Sequence, residues 1–114
     1  MTGIGGEKIA VAPGGVAWIT DTSNDIYKRN KGSWVQMPGK ARDLAIGGSI
    51  GKTKIQYKPT VFSLGMAKVA GGYEIFKYYE DTKEWKSYAR GAINIAVDPF
   101  GNLWYVTEDY QVFR

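Results

Sequence analysis

The sequence predicts an all-β chain, a β-propeller-type array of blades, each built from four short antiparallel strands. Three observations carry this expectation. First, the chain repeats itself: residues 9–28 (IAVAPGGVAWITDTSNDIYK) align without a gap on residues 95–114 (IAVDPFGNLWYVTEDYQVFR) at an offset of 86. A further echo pairs WVQMPGKARDLA, residues 34–45, with WKSYARGAINIA, residues 85–96, at an offset of 51. Second, short apolar or alternating runs are separated by turn residues every few positions, which is the pattern of strands. Third, aromatics are 14 % of the chain and glycines number 15, a balance that suits sheets joined by tight turns. A repeat of roughly 35–50 residues means units that share one core, and four strands at that period is a propeller blade.

The repeats place each element in turn. The first strand is Ile9–Val11, echoed by Leu44–Ile46 and Ile95–Val97, apolar runs expected to be buried on both faces. Next comes a turn, Ala12-Pro13-Gly14-Gly15, matched by Asp98-Pro99-Phe100-Gly101. Proline presets φ early in such a turn and glycine accepts a positive φ late in it. The second strand is Val16–Thr20, echoed by Asn102–Val106, with Trp18 and Trp104 on one face. Polar turns at Asp21–Asp25 and Thr107–Tyr110 lead to a third strand, Ile26–Arg29, echoed by Ile75–Tyr78 and Val112–Arg114. The turns Asn30–Ser33 and Glu80–Glu84 precede a fourth strand headed by Trp34 or Trp85.

The middle unit is irregular. Its second strand is read at Val61–Leu64, with Phe62 in place of Trp18, while Gly48–Pro59 replaces the Pro-Gly turn and Met66–Gly72 is extra. Extra residues in a repeat are expected as loops on one face. Lys40–Ile46 could be a helical turn by composition, but the repeat makes it a link followed by a first strand. The expected organisation is one partial propeller over residues 1–114, with units at 9–43, 44–94 and an incomplete 95–114.

Composition excludes several kinds of chemistry. With no Cys there is no disulfide framework or thiolate metal site, and with no His the commonest general base and metal ligand are missing. No cofactor, metal or catalytic residue is expected. The acids Asp21, Asp25, Glu80, Asp81, Glu84, Glu108 and Asp109 fall in turns, and nothing sets two of them at facing strand ends as a glycosidase requires. No apolar run is long enough to span a bilayer. The start, MTGIGGEK, lacks the form of a secretory signal, so the expectation is a cytoplasmic or non-classically released protein.

Net charge is +4, and no acid occurs from Leu44 to Tyr73, where Lys52, Lys54, Lys58 and Lys68 fall. Lysines interleaved with Tyr57 and Phe62 could hold an anionic partner, but no nucleic-acid motif accompanies them, and nucleic acid is not an expected partner. The glycine-rich run from Gly47 to Thr53 lacks the Walker spacing, since Ile46 stands where the first glycine belongs, and no helix pattern follows.

The motifs WVQMPGKARDLAI, IAVAPGGVAWIT and DIYKR resemble the tectonin repeat, the blade of the tectonins and tachylectin-type lectins. Residues 8–46 and 85–114 fit the pattern well, and residues 47–74 fit it poorly. The resemblance implies a toroidal propeller, often six-bladed, that binds glycans in pockets on or between blades. The chain departs from it in blade number, with about eleven strands, under three blades. Position 1 is equivalent to Gln36 and position 114 to Lys28. The expectation is therefore a piece of a larger propeller or a ring completed by self-association, most simply a dimer with six blades.

Candidate ligand-binding residues follow. Trp18 and Trp104 could pack between blades or offer a ring face to a sugar. Arg42, Asp43, Arg90 and Asn94 sit in the links before first strands, where they could cap the turn or recognise hydroxyls. Asn102 replaces the apolar Val16 beside a glycine turn, on the face of Trp104. Asn102 and Trp104, with Arg90 or Asn94, are the expected sugar pocket. The functional expectation is a non-catalytic, lectin-like module. The alternative is an intracellular protein-interaction scaffold that uses the basic middle unit.

Overall fold

The computed structural model describes residues 7–12, 15–48 and 59–114, apart from the side chains of Ala89 and Arg90. Eleven strands are present: β1 (Lys8–Val11), β2 (Ala17–Thr20), β3 (Asp25–Asn30), β4 (Ser33–Lys40), β5 (Asp43–Gly47), β6 (Thr60–Val69), β7 (Gly72–Tyr79), β8 (Glu84–Ala92), β9 (Asn94–Val97), β10 (Leu103–Val106) and β11 (Val112–Phe113). They form three antiparallel meanders, β1-β2-β3-β4, β5-β6-β7-β8 and β9-β10-β11. No helix occurs among the described residues. The fold is all-β and propeller-like, with each sheet face-packed on the next.

The repeat is exact in register. Ala10 pairs with Trp18, Ala45 with Phe62 and Ala96 with Trp104. One strand further on, Thr20 pairs with Ile26, Leu64 with Ile75, and Val106 with Val112. A one-residue slip would reverse every side chain, so these matches fix which residues share a face. The turns before β2 and β10 also agree. Gly15 N–H donates to Ala12 O at 2.7 Å and Gly101 N–H to Asp98 O at 3.0 Å. Both glycines have φ near +90°, which a side chain would strain.

Two apolar clusters lie between the sheets. Trp18, Ile26, Leu44, Val61 and Tyr78 join the first sheet to the second. Phe62, Leu64, Ile75, Ile95 and Leu103 join the second to the third. Trp18 meets Tyr78 edge-on at 5.4 Å and Trp85 at 6.2 Å between ring centres. The Trp85 indole N–H donates to Pro38 O at 2.8 Å, so β4 of one sheet is fastened to β8 of the next.

Several expectations are corrected. Met66–Gly72 is not a loop: β6 runs on to Val69 and turns back into β7 at Gly72, with Val69 opposite Gly72. The tip of this hairpin reaches the third sheet, where Glu108 N–H donates to Gly71 O at 2.9 Å and Lys68 pairs with Glu108 at 3.6 Å. The first strands are not alike in burial. β5 is largely buried, whereas β1 exposes Ile9 and Val11, which among the described residues have no sheet packed over them. Val16 and Asn102 stand just before β2 and β10, where their carbonyls close the preceding turns by accepting from Ala12 and Asp98 N–H. Arg90 lies within β8 rather than in a link, since β8 continues past two register shifts to Ala92. Asp43 and Asn94 are the first residues of β5 and β9. The Gly-rich run beyond Gly48 and the lysines 52, 54 and 58 lie outside the described residues.

Candidate functional site

The packing of the first sheet on the second leaves a groove of about 410 Å³ at one end of their interface. Val16, Trp18 and Lys28 line it from the first sheet; Lys77, Tyr78, Tyr79, Glu80 and Asp81 line it from the second. Strand alternation explains Trp18, Lys28 and Tyr78, whereas Lys77, the partner of Phe62, and Tyr79 point to the opposite face of β7. Trp18 pairs with Lys28 across β2 and β3, so both side chains face the second sheet. Tyr78 and Tyr79 end β7, and Glu80 and Asp81 open the turn that follows. A second cavity of about 310 Å³ shares Lys28, Tyr78 and Glu80 with the groove and continues along β4.

The groove mixes aromatic surface with donors and acceptors. Lys28 Nζ lies 4.0 Å from Glu80 Oε2. Trp18 Nε1 and the Tyr78 hydroxyl belong to lining residues, are buried, and have no hydrogen-bond partner among the described residues. A buried polar group left unpaired costs about 1–3 kcal/mol, so these two atoms stand ready for a hydroxyl from water or ligand. Burial, and then the Glu80 charge, push the Tyr78 phenol above its usual pKa of 10.0. It therefore stays protonated and can donate.

A second constellation occupies the free face of the third sheet and centres on Asp98. Asp98 Oδ1 accepts from the backbone N–H of Phe100 and of Asn102, both at 2.9 Å. Asp98 Oδ2 accepts from Asn102 Nδ2 at 3.2 Å and from Trp104 Nε1 at 3.1 Å. Burial acts to raise the Asp98 pKa. The hydrogen bonds from the Asn102 backbone, the Trp104 indole, the Asn102 amide and the Phe100 backbone outweigh it and lower the value to about 2. Asp98 is thus a fixed anion that holds Asn102 and Trp104 in one arrangement. Asn102 keeps its carbonyl oxygen for other partners and, with Tyr88, Tyr105 and Arg114, lines a cavity of about 460 Å³.

The structure distributes the sequence-derived candidates as follows. Asn102 and Trp104 are brought together, through Asp98. Asn94 is exposed on β9, and strand alternation puts it on the same face as Ala96, the partner of Trp104. The Arg90 side chain lies outside what is described. Trp18 is in the core, 1 % exposed, so its rings pack on Tyr78 and Trp85 rather than on solvent. The Arg42 guanidinium stacks 4.1 Å from the Tyr73 ring centre, and the Arg42 backbone N–H donates to Leu64 O. Asp43 Oδ1 accepts from Leu44 N–H at 2.8 Å, a local cap at the strand entrance. Neither Arg42 nor Asp43 lines the groove.

Sequence reasoning missed Asp98, Lys77, Tyr78, Tyr79 and the role of Glu80. The signal for Asp98 was its place in a turn whose counterpart, Ala12, has no carboxylate. Among the described residues no three acidic side chains gather as a metal site. No curated protein matches the chain. The family model of the tectonin domain matches residues 2–114, nearly the whole chain and with it the repeat register, both turn glycines and the groove walls, so this chain belongs to the tectonin domain family.

Proposed function

We propose that the protein binds glycans without transforming them, using the grooves between successive sheets. The observation that carries this reading is the groove between the first and second sheets. It sets the orphaned Trp18 Nε1 and Tyr78 hydroxyl beside the Lys28 ammonium and the Glu80 and Asp81 carboxylates. Sugars present apolar ring faces and hydroxyls that both donate and accept, and this set answers each of those features. Membership of the tectonin domain family supports the same reading.

The Asp98 constellation is the second recognition surface. The partly exposed Trp104 ring offers stacking, the Asn102 carbonyl accepts a hydroxyl proton, and Asn94 lies on the same face of the sheet. Repeated weak sites on one assembly raise avidity. The scaffold reading would draw on Lys68, which is engaged with Glu108 at 3.6 Å.

The test is a glycan array followed by calorimetry on the best binder. Tyr78→Phe and Asn102→Val should each keep the fold and weaken binding by about 1–3 kcal/mol, the cost of an unpaired buried hydroxyl. If the parent protein binds no glycan, or if both variants bind as tightly as the parent, the reading is wrong.

A further inference from the structure

Each sheet has one face that meets the next sheet and one that meets the preceding sheet, and the register matches identify equivalent residues on both. Among the next-facing positions, Trp18 and Phe62 are each 1 % exposed, whereas their counterpart Trp104 is 42 % exposed. Ile26 and Ile75 are fully buried, whereas Val112 is 65 % exposed. Among the preceding-facing positions the pattern reverses. Leu44 and Ile95 are buried, whereas Ile9 is 67 % exposed. Among the described residues one face of each kind is thus uncovered, and the interior shows how the two kinds fit.

We infer that the free face of the third sheet docks on the free face of the first sheet of a second copy of this chain, repeating the contact made between its own first and second sheets. The internal contact supplies the template. Trp18 there packs against Tyr78 and Trp85. In the docked pair Trp104 of one copy packs against Arg29 and Trp34 of the other, which already lie together with the guanidinium 5.2 Å from the indole centre. Val112 takes the place of Ile26, and Ile9 of the second copy takes the place of Leu44.

Inside the chain, Lys28 of the first sheet approaches Glu80 of the second. By the same register Arg114 takes the place of Lys28 and Lys31 that of Glu80, so this ion pair is not repeated and the apolar positions carry the match. A contact between unlike faces is head-to-tail, so each copy offers both halves and copies can close into a ring.

The experiment is native mass spectrometry and sedimentation equilibrium of the full chain at micromolar concentration, without glycan. The parent should exceed the 12.6 kDa of one chain. Ile9→Arg and Val112→Arg alter residues that are exposed in the single chain, so each should fold by circular dichroism and run as a monomer. Thr22→Glu, an exposed turn residue on neither face, should keep the parent mass. Mixing the two arginine variants should restore a pair, because each retains the face the other has lost. If Ile9→Arg does not fold, Val11→Arg on the same face replaces it.

A monomeric parent overturns the inference. So does an assembly that survives both arginine variants, or a mixture of the two that stays monomeric. Absence of glycan binding alongside the expected masses would remove the glycan reading and leave the docking intact.

Discussion

The Lys28 ammonium lies 5.5 Å from the centre of the Trp18 ring, and the pairing recurs in each sheet, with Lys77 5.9 Å from Phe62 and Arg114 5.6 Å from Trp104. A cation over an aromatic face is worth about 0.5–2 kcal/mol, more as water is excluded. Lys28 is half-buried at the first groove and also approaches Glu80. Lys28→Gln should therefore lower stability by about 1 kcal/mol, and Lys28→Arg should restore most of it. Urea unfolding of the three proteins checks this; equal midpoints would show that the cation does not hold the indole.

Trp18 is the largest fully buried side chain. Trp18→Ala should cost about 3–5 kcal/mol, because the neighbouring Tyr78 and Trp85 cannot close the space without breaking the Trp85 bond to Pro38. Denaturant midpoints measure it. A cost below about 1 kcal/mol would mean that the two sheets do not depend on this indole.

Gly39 has φ +82°, and a Cβ placed there would lie 3.3 Å from Trp85 Cδ1. Gly39→Ala should destabilise by about 1–2 kcal/mol from the left-handed backbone alone, and should alter Trp85 fluorescence. Gly32 also has a positive φ but open space around it, so Gly32→Ala should cost less and leave that emission unchanged.

The folded-state pKa of Asp98, about 2, lies below the ordinary 3.8. The folded protein therefore takes up this proton less readily than the unfolded chain does. The stabilisation is complete above the unfolded value and is lost as pH falls from about 4 through 2. A carboxyl-resolved titration should place the Asp98 midpoint near 2, and Asp98→Asn should flatten the stability profile of the protein over that window. A midpoint near 4 would show that the four hydrogen bonds do not form together.

Strand order and most strand bounds were legible because the alternation and the repeat offsets agree at every turn. The duplicated Ile-Ala-Val runs located β1 and β9, and the paired tryptophans located β2, β4, β8 and β10. What escaped was burial. Ile9 and Ile95 are the same residue in the same motif, yet one is exposed and the other buried, since burial depends on which sheet lies opposite. The middle unit hid its long hairpin because Met66–Val69 has no counterpart in the other units. Comparison with Val16 and Trp18 singled out Asn102 and Trp104, which the structure joins through Asp98. It overlooked Asp98, whose role arises from four donors that converge only when the turn closes. The sequence leaves Trp18 either packing between blades or offering a ring face to a sugar, and the indole packs between the sheets.

Repeats that share a strand register risk pairing with the wrong neighbour while they fold. The β6–β7 hairpin breaks that degeneracy. Its tip, through Gly71 and Lys68, grips the Thr107–Tyr110 turn of the third sheet, and the first sheet has no such extension to offer the second. An insertion in one repeat thereby serves as an address label, telling the third sheet which of two similar surfaces is its own.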